Sequence, residues 1–191
     1  LGDTHAVLFL QGGASMQFAM VPMNLMLPDK PALYADTGSW TTKAIKEAKL
    51  FGEVHTIYDG SKFEYKRIGD CSRWEIDPDA SYAYICSNNT IHGTQYHFFP
   101  ECGEVPLIAD MSSDIMSRPL DVDKFGVIFA GAQKNLGAAG VTVAIMRKDL
   151  AERAGDNVPT MLRYTTHIQK GSLFNTPPSL AIYIVKLVTD W

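Results

Sequence analysis

The chain has 191 residues, enough for one domain of ordinary size with a sizeable core and too few for two large ones. Seventeen Lys and Arg against 21 Asp and Glu give a net charge of −4, with 46% hydrophobic and 20% charged residues. That balance argues against a dedicated nucleic-acid binder, which carries a basic excess or stripe, and against a globally disordered chain.

No apolar run nears the roughly 18 residues that span a bilayer, and no signal sequence opens the chain. Its start at Leu1 without Met points to a piece of a longer polypeptide. Cys71, Cys86 and Cys102 suit neither a disulfide framework nor a zinc knuckle and read as buried thiols of a cytoplasmic protein.

Residues 6–10, Ala-Val-Leu-Phe-Leu, read as a strand that ends in Gln11-Gly12-Gly13-Ala14-Ser15. Met16, Met20 and Met23 then recur at helical spacing, with Pro22 expected to kink or shorten the helix. A Thr37-Gly38-Ser39-Trp40 loop leads into a polar helix with Ala44, Ile45 and Ala48 inward, and residues 54–58 read as a strand. Residues 60–80 carry no clear signal. Four apolar runs follow, at 82–86, 105–109, 126–130 and 141–145.

The first three of these runs start about 20 residues apart, room for the crossovers of parallel strands buried on both faces. The fourth follows closely and is expected antiparallel. Near the end, Thr176 is expected to cap a helix with Pro177 in its first turn. Leu180, Tyr183, Ile184, Leu187, Val188 and Trp191 then form its inward face. The pattern predicts one α/β domain, a three-layer αβα sandwich around a mostly parallel mixed sheet.

Gly12-Gly13-Ala14-Ser15 lies between a strand and a helix, where backbone N–H groups and the helix dipole favour an anion. It matches neither a Walker loop nor the dinucleotide fingerprint, and it also reads as a plain tight turn. Asp110 follows one apolar run directly and Lys134 follows the next, so both belong at the ligand-binding edge of an open α/β sheet. Alone they also read as an ion pair, and Trp40 as packing. Together with an anion site they supply what pyridoxal 5′-phosphate requires: a lysine for its aldehyde, a carboxylate facing its pyridine nitrogen and a flat side chain against its ring.

The stretches 11–25, 45–48, 109–113, 117–119, 131–135 (Gly-Ala-Gln-Lys-Asn) and 171–178 (Gly-Ser-Leu-Phe-Asn-Thr-Pro-Pro) resemble the phosphoserine aminotransferase family, class-V enzymes of fold-type I. The resemblance implies that residues 1–191 form the pyridoxal-phosphate-binding large domain, without an N-terminal segment and a small C-terminal domain. It implies that Lys134 carries the cofactor and moves a proton, that Asp110 keeps the ring nitrogen protonated, and that Trp40 stacks on the ring. Thr90 would bond the phenolic oxygen, while Ala14, Ser15 and Gln133 hold the phosphate, with Asn175 and Thr176 reaching over from the second subunit of a homodimer.

Some members carry Arg where Ser15 stands. The implied reaction transfers the amino group of L-glutamate to 3-phosphohydroxypyruvate, giving O-phospho-L-serine and 2-oxoglutarate in serine biosynthesis, with no nucleic-acid or membrane partner.

Competing readings stay open at this point. Another fold-type I enzyme, of the alanine–glyoxylate transaminase or cysteine desulfurase type, shares the cofactor. A nucleotide-binding module would use Gly12–Ser15 for phosphate and Asp36 for ribose, although no good apolar strand is expected to lead to Asp36. A structural dimerisation domain would give Lys134 no role. The five histidines lack metal-ligand spacing, so no metal is expected. His92 near Thr90 reads as solvated unless it lines the site, and Arg163, His167 and Lys170 read as a solvated face.

Overall fold

A computed structural model describes residues 2–191. The apolar runs pair into one seven-stranded sheet from β1 (His5–Leu10), β2 (Ala32–Asp36), β3 (Val54–Asp59), β4 (Tyr82–Cys86), β7 (Leu107–Asp110), β8 (Val127–Gly131) and β9 (Thr142–Arg147). Their order is β1-β9-β8-β7-β4-β2-β3. A small hairpin of β5 (Asn88–Asn89) and β6 (Thr94–Gln95) stands apart after β4.

The strands from β3 to β8 pair in parallel, while β9 runs antiparallel to both β8 and β1. The close spacing of β8 and β9 thus makes a hairpin as expected, its loop turned through Gly137 and Gly140 at φ 109° and 106°. β4, β7 and β8 are buried at every position, which explains their continuous apolar sequence.

One face of the sheet is covered by α1 (Gly13–Leu25), α2 (Ser39–Ala48) and the short α3 (Lys148–Ala151) and α4 (Tyr164–Gln169). Alternation along the strands places Leu8, Tyr34, Tyr84, Phe129 and Ala144 against them. The other face packs on irregular chain and α5 (Ser179–Asp190), through Ala181 and Val185. This is the three-layer mixed sheet expected, with a thinner second outer layer.

Several expectations need correcting. Residues 32–36 form an interior strand, hidden in the sequence because Ala-Leu-Tyr-Ala-Asp carries no β-branched residue, unlike β4, β7 and β8. α1 continues three residues past Pro22, which forfeits one N–H bond there, before the Met26 N–H closes on the Pro22 carbonyl at 3.1 Å. Thr176 is not a cap, because α5 starts at Ser179 after Pro178 with no side-chain cap.

The face of α5 expected to point inward mostly points out. Leu180 is 73% exposed and Tyr183 56%, while Ala181 and Val185 are buried. The larger side chains misled the periodicity argument, which assigns the core by apolar content alone. His92 and His167 are also more than solvated. His92 Nε2 meets Ser39 Oγ at 3.2 Å and its ring lies against Tyr65. His167 is buried with Nε2 at 2.9 Å from the Met161 carbonyl, and Arg163 Nε donates to the Val158 carbonyl at 2.6 Å.

Candidate active site

Parallel strands present their carboxyl ends along one edge, and the chain reverses its direction of travel across the sheet between β2 and β4. Above that edge lies a cavity of about 160 Å³. Of the residues singled out in the sequence, Ala14, Ser15, Trp40, Asp110, Gln133 and Lys134 line it. Five elements therefore converge: the start of α1, the first turn of α2, and the ends of β4, β7 and β8.

The α1 end is shaped by glycine. Gly12 sits at φ 90°, and a Cβ there would lie 2.6 Å from the Met16 Cβ. Gly13, at φ 68°, faces the cavity with nothing within 4 Å of where a Cβ would stand. Side chains rarely adopt such φ values, so both positions favour glycine. The helix has no side-chain cap and no acid in its first turn, leaving its leading N–H groups and positive dipole end toward the cavity.

Trp40 is half-buried at the opening of α2, and its indole Nε1 is buried without a hydrogen-bond partner among the described residues. Lys134 stands in the β8–β9 loop, exposed, with Nζ 5.7 Å from the Trp40 ring centroid. Lys43 Nζ approaches the same ring at 4.6 Å.

Asp110 closes β7 opposite Cys86 of β4 and Phe129 of β8. It is 4% exposed, and burial pushes its carboxyl above the usual range, opposed by hydrogen bonds from Ser112 and by the Lys134 charge. Ser112 donates its N–H to Oδ1 at 2.9 Å and its hydroxyl to the same oxygen at 2.7 Å. Among the described residues, Oδ2 accepts no hydrogen bond and no ion pair includes Asp110. One oxygen of a buried carboxylate is thus left for a donor that the described residues do not provide.

Thr90, Asn175 and Thr176 do not line this cavity. Thr90 is exposed in the β5–β6 turn. Asn175 lines a neighbouring cavity of about 320 Å³ beside Gly12, and the Thr176 carbonyl accepts the Gln11 Nε2–H at 3.0 Å. Sequence reasoning missed Cys86, Asn88 and the roles of Ser112 and Ser113 in the lining. Burial lifts the Cys86 thiol well above its normal range, with the neighbouring Asp110 adding to the shift, so it faces the cavity as a thiol. The Asp-x-Ser spacing of Asp110 and Ser112 was the available signal, since it marks a side-chain-closed turn.

Residues 2–191 match the family described as aminotransferase class-V. The chain is 54% identical over 189 residues to a phosphoserine aminotransferase of Alkalihalobacillus alcalophilus, covering 99% of this chain and 52% of that protein. It is 55% identical over 192 residues to one of Syntrophobacter fumaroxidans, covering 100% and 53%.

Among solved structures, phosphoserine aminotransferase from Bacillus circulans subsp. alkalophilus superposes with a TM-score of 0.97 at 49% identity, covering 100% of this chain and 53% of that one. A pyridoxal-phosphate-bound phosphoserine aminotransferase from Trichomonas vaginalis gives 0.88 at 35% identity, covering 100% and 54%. The chain spans about half the length of the curated relatives it matches. With its whole described length matched by the family and its fold shared with these enzymes, the chain belongs to the class-V aminotransferases.

Proposed function

We propose that this chain is the pyridoxal-phosphate-binding large domain of a phosphoserine transaminase. The observation that carries the reading is the convergence of Lys134, Asp110, Trp40 and the α1 N-terminus on one cavity, in a chain about half identical to enzymes of that name. The donor set fits the cofactor. The free Oδ2 of buried Asp110 suits a protonated pyridine nitrogen, the helix end suits a phosphate, the Trp40 face suits an aromatic ring, and Lys134 suits an aldehyde. When bound, pyridoxal phosphate supplies an electron sink for charge developing at the substrate Cα.

The chain's own residues then have distinct tasks. The Asp110 carboxylate would hold a proton on the ring nitrogen, the cationic ring offsetting the burial that otherwise favours the neutral acid. Lys134 Nζ takes the Cα proton and returns it, at the mouth of the cavity. Ala14, Ser15 and Gln133 orient the phosphate, and Trp40 excludes water from one ring face. Thr90, exposed in the β5–β6 turn outside this cavity, would donate its hydroxyl to the phenolic oxygen.

Asn175 and Thr176, which lie outside this cavity, serve the second subunit of a homodimer with shared active sites. L-Glutamate donates the amino group and 3-phosphohydroxypyruvate receives it, as a step of serine biosynthesis in the cytoplasm. No helix among the described residues is long and apolar enough to cross a membrane.

The test is a pyridoxal-phosphate titration of the longest native chain containing these residues. A visible absorption band, with a borohydride-fixed tag located on Lys134 by peptide mass, is the expected result. A folded protein with neither band nor tag overturns the reading.

A further inference from the structure

We propose that Ser112 is a positioning residue whose hydroxyl holds Asp110 with Oδ2 free and ties that carboxylate to the strand leading to Lys134. The proposal rests on the cofactor reading above. Its geometric basis is a three-member relay. The Gly131 N–H donates to Ser112 Oγ at 3.0 Å, and Ser112 Oγ donates to Asp110 Oδ1 at 2.7 Å. A serine hydroxyl has one hydrogen; because the oxygen already accepts from Gly131, that hydrogen is committed to Asp110. The relay crosses from the end of β7 to the end of β8, three residues before Lys134.

Two other turns in the chain show what is particular here. Asp59 with Ser61, and Asp70 with Ser72, have the same spacing and the same pair of bonds from serine N–H and hydroxyl to one carboxylate oxygen. Those sites are exposed, and neither hydroxyl reaches a second strand. Only at Ser112 does the generic turn gain a cross-strand partner and a buried carboxylate.

The neighbouring residues brace it further. Ser113 Oγ donates to the Asn88 carbonyl at 3.1 Å and Gln95 Nε2 donates to Asp114 Oδ2 at 3.1 Å, joining this turn to the β5–β6 hairpin that bears Thr90. A carboxylate free to rotate would offer the ring nitrogen either oxygen or neither; one held at Oδ1 offers Oδ2 alone.

The experiment compares wild type, Ser112→Ala and Ser112→Thr in the longest native chain, titrated with pyridoxal phosphate and with its carbocyclic analogue in which CH replaces the ring nitrogen. The alanine variant is expected to bind pyridoxal phosphate about tenfold more weakly, the loss of one charge-assisted bond, and the analogue within about twofold of wild type. Threonine keeps the hydroxyl and restores binding. Unchanged analogue binding also certifies that the variant is folded. If alanine does not fold, Ser112→Cys, a weak donor of similar volume, carries the same expectation.

Equal weakening of both ligands, or of neither, overturns the proposal. Wild type without band or tag overturns the cofactor reading instead. Ser112 is then read in the ligand-free protein by carboxyl NMR of Asp110, which is faced by Lys134, Asp114, Cys86 and Tyr84. Loss of the hydroxyl must raise the Asp110 midpoint further, and an unchanged midpoint overturns the positioning role.

Discussion

Two hollows of the same sheet, one above its carboxyl edge and one against the face of β1 and β9, are built on opposite principles. The cavity above the β4, β7 and β8 ends is small, about 160 Å³, and gathers charged and polar groups, with Asn88, Asp110, Ser112 and Ser113 held by hydrogen bonds. The hollow bounded by β1, β9 and α5 is about 850 Å³ and lined mainly by apolar side chains, with Val7 42% exposed at its edge. Size points to the second and chemistry to the first. A general pocket argument favours large apolar clefts with a few convergent polar groups, and only the smaller one has a buried carboxylate, a lysine and a helix N-terminus together. The lesson is that convergence of unlike groups marks the site better than volume does.

The largest effect expected is at Lys134. Lys134→Ala removes the amine proposed to move the Cα proton, and on that proposal turnover of the full-length protein should fall at least about 10³-fold while its thermal midpoint stays put, because Lys134 is exposed. Steady-state kinetics alongside a melting curve tests this, and a parallel loss of stability would mean that the lysine is structural. In the layer between sheet and α1, Phe129→Ala should cost about 3–5 kcal/mol in urea unfolding, since that ring is fully buried edge-on to Phe18.

Asp110 should behave in the reverse sense to an ordinary core residue. Burial raises its pKa in the folded protein, so between the unfolded value near pH 4 and the folded value the native state holds a proton that the unfolded chain has lost. Stability falls as pH rises through that window. Asp110→Asn keeps the oxygen that accepts from Ser112 and removes the charge. The ligand-free variant should melt about 2–4 °C higher at pH 7 for each kcal/mol recovered, with the gap closing below about pH 4. Turnover should collapse in the same variant. A lower midpoint at pH 7 would show that the carboxylate is satisfied without a ligand.

The sheet was legible where strands are buried on both faces, because β4, β7 and β8 leave continuous apolar runs. β2 was not, since Ala-Leu-Tyr-Ala-Asp has no β-branched residue to mark it as a strand. The same gap weakened the argument against a nucleotide module, because a strand does lead to Asp36. That carboxylate, however, is taken up by the Thr41, Thr42 and Tyr65 hydroxyls. At the site, Asp110 and Lys134 could be placed from their positions after apolar runs, and Gly12–Ser15 from its glycines. The Asp-x-Ser spacing signals the turn at Ser112, but the contact with Gly131, 19 residues away, is one that no local spacing encodes.

The sharpest test of the comparison is also the smallest in energy. Leu187 on α5 was expected in the core and is 48% exposed, so Leu187→Ser removes little buried apolar surface. In the 191-residue chain its unfolding free energy should change by no more than about 0.5 kcal/mol, against several for Phe129→Ala. Side chains on an outward apolar stripe with Leu180 and Tyr183 still cost the chain in solution, because contiguous exposed carbon promotes association. Sedimentation should therefore show less self-association for the serine variant at equal stability. A loss of about 2 kcal/mol or more would instead mean that Leu187 packs inward after all, and the helical periodicity read from the sequence would regain its force over the structure's assignment of faces.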